Sequence, residues 1–108
     1  MVSVVIPAYN AQKTIAACLD SLMKQDYPGD YEVIVVDDGS SDSTPDIISG
    51  YERVRLMKQA NAGPAAARNK GAMDAKGEII LFTDSDCVPE GNWITEMMAP
   101  FKDNKDVV

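Results

Sequence analysis

Two apolar runs of strand-forming residues end in acidic clusters: Glu32-Val33-Ile34-Val35-Val36-Asp37-Asp38-Gly39-Ser40 and Glu78-Ile79-Ile80-Leu81-Phe82-Thr83-Asp84-Ser85-Asp86. A third run, Val2-Ser3-Val4-Val5-Ile6, passes into Pro7-Ala8-Tyr9-Asn10. Near-continuous apolar strands are those covered on both faces, as in parallel sheets. In an open parallel sheet, ligands bind beyond the carboxyl ends of the strands, where the strand order reverses. The pattern therefore predicts three strand tips converging on one site rich in carboxylate oxygens, suited to a hard cation and a polar, phosphorylated ligand.

The segments between these runs read as helices. Asn10 is placed to cap a helix over residues 11–25, whose Ile15, Cys18, Leu19 and Leu22 follow helical spacing. Tyr27-Pro28-Gly29-Asp30 is a turn. Asp42 or Ser43 can cap a short helix with Pro45 in its first turn and Ile47, Ile48 and Tyr51 on its inner face. Val54-Arg55-Leu56-Met57 is a short third strand. Gly63-Pro64 opens a helix to about Ala75, thin enough in Ala65, Ala66, Ala67, Gly71 and Ala72 to approach a sheet closely, with Gly77 as its stop. The fourth strand is 78–83, residues 84–91 are loop, and a last helix over 92–101 carries Trp93, Ile94, Met97 and Met98. The alternation βαβαβαβα predicts an α/β fold, a mostly parallel sheet with right-handed crossovers and helices on both faces.

Bulk properties exclude several classes. One hundred and eight residues make one small domain or a piece of a larger one. The net charge of −7 argues against nucleic acid as a partner, and an anionic ligand needs a cation, a helix N-terminus or a placed Arg. The absence of histidine removes His bases, Ser-His triads and His-bearing zinc sites from this segment. Cys18 and Cys87 fit no metal spacing and read as reduced thiols, which points to a cytoplasmic location. No secretory signal is visible, and no apolar run approaches the roughly 20 residues of a membrane span.

Each acidic cluster has a bland alternative. Asp84-Ser85-Asp86 can be a solvated loop of Asx turns, but at a strand tip it reads better as a divalent-cation site for Mg²⁺ or Mn²⁺. Asp42 and Ser43 serve as helix caps. Asp37 and Asp38 repel each other; directed outward, they could accept hydrogen bonds from a base or sugar. Neither cluster has the glycine and glutamate of an EF-hand loop. Arg68 lies within about one turn of a helix start, either as a surface cation or as a partner for a phosphate or a base edge. There is no G-x-G-x-x-G and no Walker A sequence.

Four segments occur together and in order: V-S-V-V-I-P-A-Y-N, E-V-I-V-V-D-D-G-S-S-D-S-T, N-A-G-P-A-A-A-R-N-K-G and the D-S-D of I-I-L-F-T-D-S-D. In this combination the chain resembles the GT-A glycosyltransferases of family 2 over nearly its whole length. The resemblance implies a Rossmann-like sheet of order 3-2-1-4 and a nucleotide-sugar site. Pro7 and Tyr9 would line the base and ribose, Asp38 would contact the base with Asp37 beside it, and Arg68 would sit near the base or diphosphate. Asp84 would contact the ribose, and Asp86, with Asp84, would hold the metal. Ala8, Asn10, Gly63 and Ser85 belong to the same implied nucleotide-sugar-binding set. Many members carry Glu after the Y-N pair, where this chain has Ala11.

Members of that family run well beyond 108 residues. The expectation is a fragment: residues 1–108 as the nucleotide-sugar-binding part of a GT-A domain, with the acceptor half and catalytic base absent and Lys105-Asp106-Val107-Val108 starting a further strand. The parent would transfer a sugar from a nucleotide donor, UDP first, to an acceptor with metal assistance and inversion. It would be compatible with membrane association, while this segment alone would be inactive. A binding module without catalysis and a flavodoxin-like domain with an acidic pocket are the alternatives; metal-dependent nucleotide binding and turnover separate the three. The apolar strand 78–83, as an edge, and the 92–101 helix are expected to promote self-association.

Overall fold

The computed structural model describes residues 1–103. Its sheet has four parallel strands, β1 (Val2–Ala8), β2 (Tyr31–Asp37), β3 (Val54–Lys58) and β4 (Ile79–Phe82), in the order β3-β2-β1-β4. The strands alternate with α1 (Ile15–Met23), α2 (Thr44–Ser49), α3 (Pro64–Asp74) and α4 (Trp93–Asp103). The order follows from burial: all seven residues of β1 are buried, and β1 is the inner strand on which the order reverses. Among the described residues no helix is long and apolar enough to cross a membrane.

Alternation along the strands builds a core on each face. On one face Val4, Ile6, Val33 and Val35 meet Ile15, Leu19 and Leu22 of α1, Ile48 of α2 and Ile94 of α4. On the other, Val5, Ile34 and Val36 meet Ala67 of α3. Each fully buried Ile, Leu or Val contributes about 1.5–3 kcal/mol. The small residues of α3 do what their size suggests: a Cβ at Gly71 would lie 2.5 Å from Val5 Cγ1, so the helix axis comes close to the sheet only with glycine there.

Three boundary expectations are corrected. The first helix starts at Ile15 rather than 11, and Asn10 does not cap it; its carboxamide oxygen instead accepts from the Ser41 N–H at 2.8 Å, and residues 12–14 form a turn. Gly77 does not stop α3. The helix ends at Asp74, and Ala75 turns extended with ψ 140°, which carries the Lys76 N–H to Glu32 Oε2 at 2.7 Å and the Gly77 N–H to Ser3 Oγ at 2.8 Å. β4 is shorter than 78–83, although Glu78 and Thr83 still donate to the Met1 and Val5 carbonyls. The expected strand at 105–108 lies outside the described residues.

Candidate functional site

The sheet register sets the site. Ala8 pairs with Asp37, and the Asp38 N–H donates to the Ala8 carbonyl at 2.8 Å, so the tips of β1 and β2 end level. The loops that follow are laced together. The Asn10 N–H donates to Ser40 Oγ at 2.9 Å, and the Ala11 N–H donates to Thr44 Oγ1 at 2.8 Å. Asn10 adopts φ +49°, a left-handed conformation that Asn tolerates. Its part is thus to hold the loop that presents Tyr9, which is 54% exposed. Asp42 accepts from the Thr44 N–H at 2.9 Å and from the Thr44 hydroxyl, whereas Ser43, at the N-cap position of α2, makes no side-chain capping bond.

Asp37 and Asp38 do not point outward as a pair; both are 3% exposed. Their repulsion is relieved by separate environments. Asp37 Oδ2 accepts from the Ser40 N–H at 3.3 Å, and its Oδ1 is buried with no hydrogen-bond partner among the described residues. Asp38 turns into the loop 59–63. Its Oδ1 accepts from Gln59 Nε2 and the Ala62 N–H, both at 2.8 Å, and its Oδ2 from the Gly63 N–H at 3.0 Å and Asn61 Nδ2 at 3.2 Å. Donation from the Gln59 side chain and then from the Ala62 and Gly63 amides holds the Asp38 carboxyl below the usual aspartate range, against the opposing effect of burial. Gly39, at φ +78°, lets the loops approach: a Cβ there would stand 2.8 Å from the Asn61 nitrogen.

The third tip is acidic and exposed. One ligand atom each from Asp84, Asp86 and Cys87 lies within 4.8 Å of the others. The two carboxylates suit a hard divalent cation, whereas the Cys87 thiolate would favour a softer one. Arg68, on α3, contacts Asp84 Oδ1 at 3.2 Å, and the Cys18 thiol reaches the Asp84 carbonyl at 3.7 Å. Burial, then the neighbouring Cys87 and the carboxylates, pushes the Cys18 thiol up to about 12, so it stays protonated.

A cavity of about 440 Å³ joins the three tips. Pro7, Ala8, Tyr9 and Asn10 line one side, Asp38 and Gly63 another, and Asp84, Ser85 and Asp86 the third. Nine of the eleven expected residues thus line one cavity; Asp37 is tucked behind its wall, and Arg68 reaches it through Asp84. The sequence reading missed Asn61, Thr14 and Pro64 in the lining, and Cys87 beside the carboxylates. Asn61 and Pro64 sit in the segment that yielded Gly63 and Arg68, and Cys87 directly follows Asp86. A larger groove of about 730 Å³, between the 27–29 turn and α4, is lined by Tyr27, Pro28, Met98 and Phe101, and among the described residues no carboxylate or cation lines it.

A family model described as Glycosyl transferase family 2 matches residues 3–108. The poly(ribitol-phosphate) beta-glucosyltransferase of Bacillus spizizenii is 48% identical over 92 residues, covering 79% of this chain and 14% of that protein. The structure of S. aureus TarS 1-349 in complex with UDP-GlcNAc superposes with a TM-score of 0.89 at 35% identity, over 96% of this chain and 32% of that one. The mannosyltransferase PcManGT from Pyrobaculum calidifontis, in complex with GDP-Man and Mn²⁺, gives 0.81 at 32% identity, over 91% and 32%. The fold and strand order are those of GT-A glycosyltransferases. The chain spans well under half the length of these relatives.

The lowered Asp38 carboxyl fixes the sign of an acid response. Asp42 is lowered too: burial opposes this, but the Thr44 hydroxyl and amide and the Gln12 amide outweigh it. Both groups stabilise the fold fully above the unfolded aspartate range, near pH ~4, and lose that contribution as pH falls through their lowered values. Melting temperature measured against pH is expected to be level from pH 7 to 5 and to fall below 4. Asp38→Asn, which replaces one acceptor oxygen with an NH₂ group facing two donors, should lower it throughout and flatten the acid slope; an unchanged slope would contradict the role of Asp38.

Proposed function

The chain belongs to glycosyl transferase family 2, and on that premise we propose that its cavity is the nucleotide-sugar site of a metal-assisted, inverting glycosyltransferase. The observation that carries this reading is the single cavity in which the tips of β1, β2 and β4 bring Tyr9, Asp38, Asp84 and Asp86 together. Pro7 and Tyr9 form the wall for base and ribose, with Ala8 and Asn10 shaping it. Asp38, backed by Asp37, accepts from the base. Gly63 and Ser85 line the cavity beside the diphosphate, Arg68 offers its charge to it, and Asp84 meets the ribose.

Asp86, with Asp84, would hold a divalent cation, Mn²⁺ or Mg²⁺. Once bound, that cation offsets the diphosphate charge and so eases its departure. In a chain of net charge −7, Arg68 is, among the described residues, the cation in contact with this carboxylate cluster, so a dianionic diphosphate needs the added charge. A UDP-sugar is the first choice of donor, supported by the likeness to TarS, whose structure holds UDP-GlcNAc. Inversion follows if an acceptor hydroxyl attacks the anomeric carbon opposite the leaving diphosphate. The base for that proton is expected outside residues 1–108, because no histidine is present and the carboxylates of the site are already engaged. Residues 1–108 are then the nucleotide-sugar-binding part, inactive alone. The free thiols Cys18 and Cys87 support a cytoplasmic site.

Thermal shift with UDP, with and without Mn²⁺, tests the reading. At 100 times its dissociation constant a ligand adds about 2.7 kcal/mol of stability. Asp86→Ala is expected to remove the Mn²⁺ dependence and leave the fold intact; equal binding in EDTA would refute the metal role. Self-association is the second expectation. Among the described residues β4 pairs only with β1, and Phe82, Met97 and Phe101 are exposed. Light scattering should show dimers rising with concentration, and a monomer at hundreds of micromolar would count against it.

A further inference from the structure

Asp38 accepts two hydrogen bonds on each oxygen, and an ionised carboxylate offers about four acceptor positions. An N–H reaching it from the cavity therefore has to replace one of the present donors. These donors are not equivalent. Ala62 and Gly63 donate backbone amides leading into α3. Asn61 is exposed, lines the cavity, and divides its amide between Asp38 Oδ2 at 3.2 Å and the Asp38 carbonyl at 3.1 Å. Gln59 stands behind the cavity, half-buried, with its Nε2 2.8 Å from Oδ1 and its own backbone N–H on the Asp37 carbonyl at 3.0 Å. Asn61 is the donor that a ligand can replace; Gln59 is fixed to the end of β2.

We propose that Gln59 is a positioning residue that sets the base preference of the site: it holds the Oδ1 edge of Asp38, so that Oδ2 is the oxygen offered to a base N–H. The inference rests on the nucleotide-sugar reading above. Uracil presents an imide N–H between two carbonyls, and cytosine presents a bare ring nitrogen at the same place. A carboxylate held in one orientation accepts from the first and repels the second. With the Gln59 donor removed, the Ala62 amide alone holds Oδ1, the carboxylate turns more readily, and the contrast between the two bases shrinks.

The experiment measures UDP and CDP affinities by calorimetry at saturating Mn²⁺ and in EDTA, using the whole natural protein and its Gln59→Leu, Gln59→Lys and Gln59→Glu variants. Wild type is expected to prefer UDP. Leu, which cannot donate, should lower the UDP:CDP ratio about tenfold, the scale of one hydrogen bond to a charge. Lys, which still donates, should keep the ratio, and Glu should lose at least as much as Leu. The Mn²⁺ dependence should be unchanged in all three. A wild-type ratio in the Leu and Glu variants would overturn the role of Gln59. So would equal losses for UDP and CDP together with the Mn²⁺ dependence, which would mark a purely structural residue. Equal binding of the two nucleotides by wild type would remove base reading by Asp38, and binding of neither would remove the nucleotide reading itself.

Discussion

The Asp38 carboxylate is the group on which the site's architecture turns. A buried charge without partners is strongly unfavourable, so the chain must bring hydrogen-bond donors to it. It does so with Gln59 at the end of β3, Asn61 and Ala62 in the following loop, and Gly63 at the entry to α3. One side chain at the tip of β2 thereby fixes the exit of β3 and the start of α3, and with them the wall of the cavity. Gly39 makes the close approach sterically possible, and the level ends of β1 and β2 place Tyr9 across from that wall.

The cavity joins two different environments. On the side of β1 and β2, loops cross-linked by Asn10, Ser40, Ser41 and Thr44 hold aromatic and acceptor groups in place before any ligand arrives. On the side of β4, Asp84 and Asp86 are exposed, and among the described residues Arg68 pairs with Asp84. The first suits recognition of a planar, hydrogen-bonding group; the second suits a cation with its anionic partner. Both lie at the carboxyl ends of the strands, where the reversal of order at β1 opens the crevice.

The sheet was legible because its strands are near-continuous apolar runs with turn signals between them, and the helices on both faces followed from the alternation of elements. Most cavity residues were legible because strand tips must converge in such a sheet. What failed were roles set by tertiary partners. Asn10 carries the composition of a helix cap, but Ser41 competes for its oxygen and the helix begins five residues later. Asp37 and Asp38 look alike in sequence, and only the loop arriving from β3 distinguishes them. Gln59 gave no local signal, since its importance depends on a contact 21 residues away in the chain.

The cavity spans the tips of β1, β2 and β4. The most direct measurement is a titration of UDP with Mg²⁺ into ¹⁵N-labelled protein, followed by amide chemical shifts. Shifts are expected to concentrate at residues 8–11, 38–40, 61–64 and 84–87. Shifts centred instead on residues 27–29 and 95–101, around the larger apolar groove, would contradict binding in this cavity.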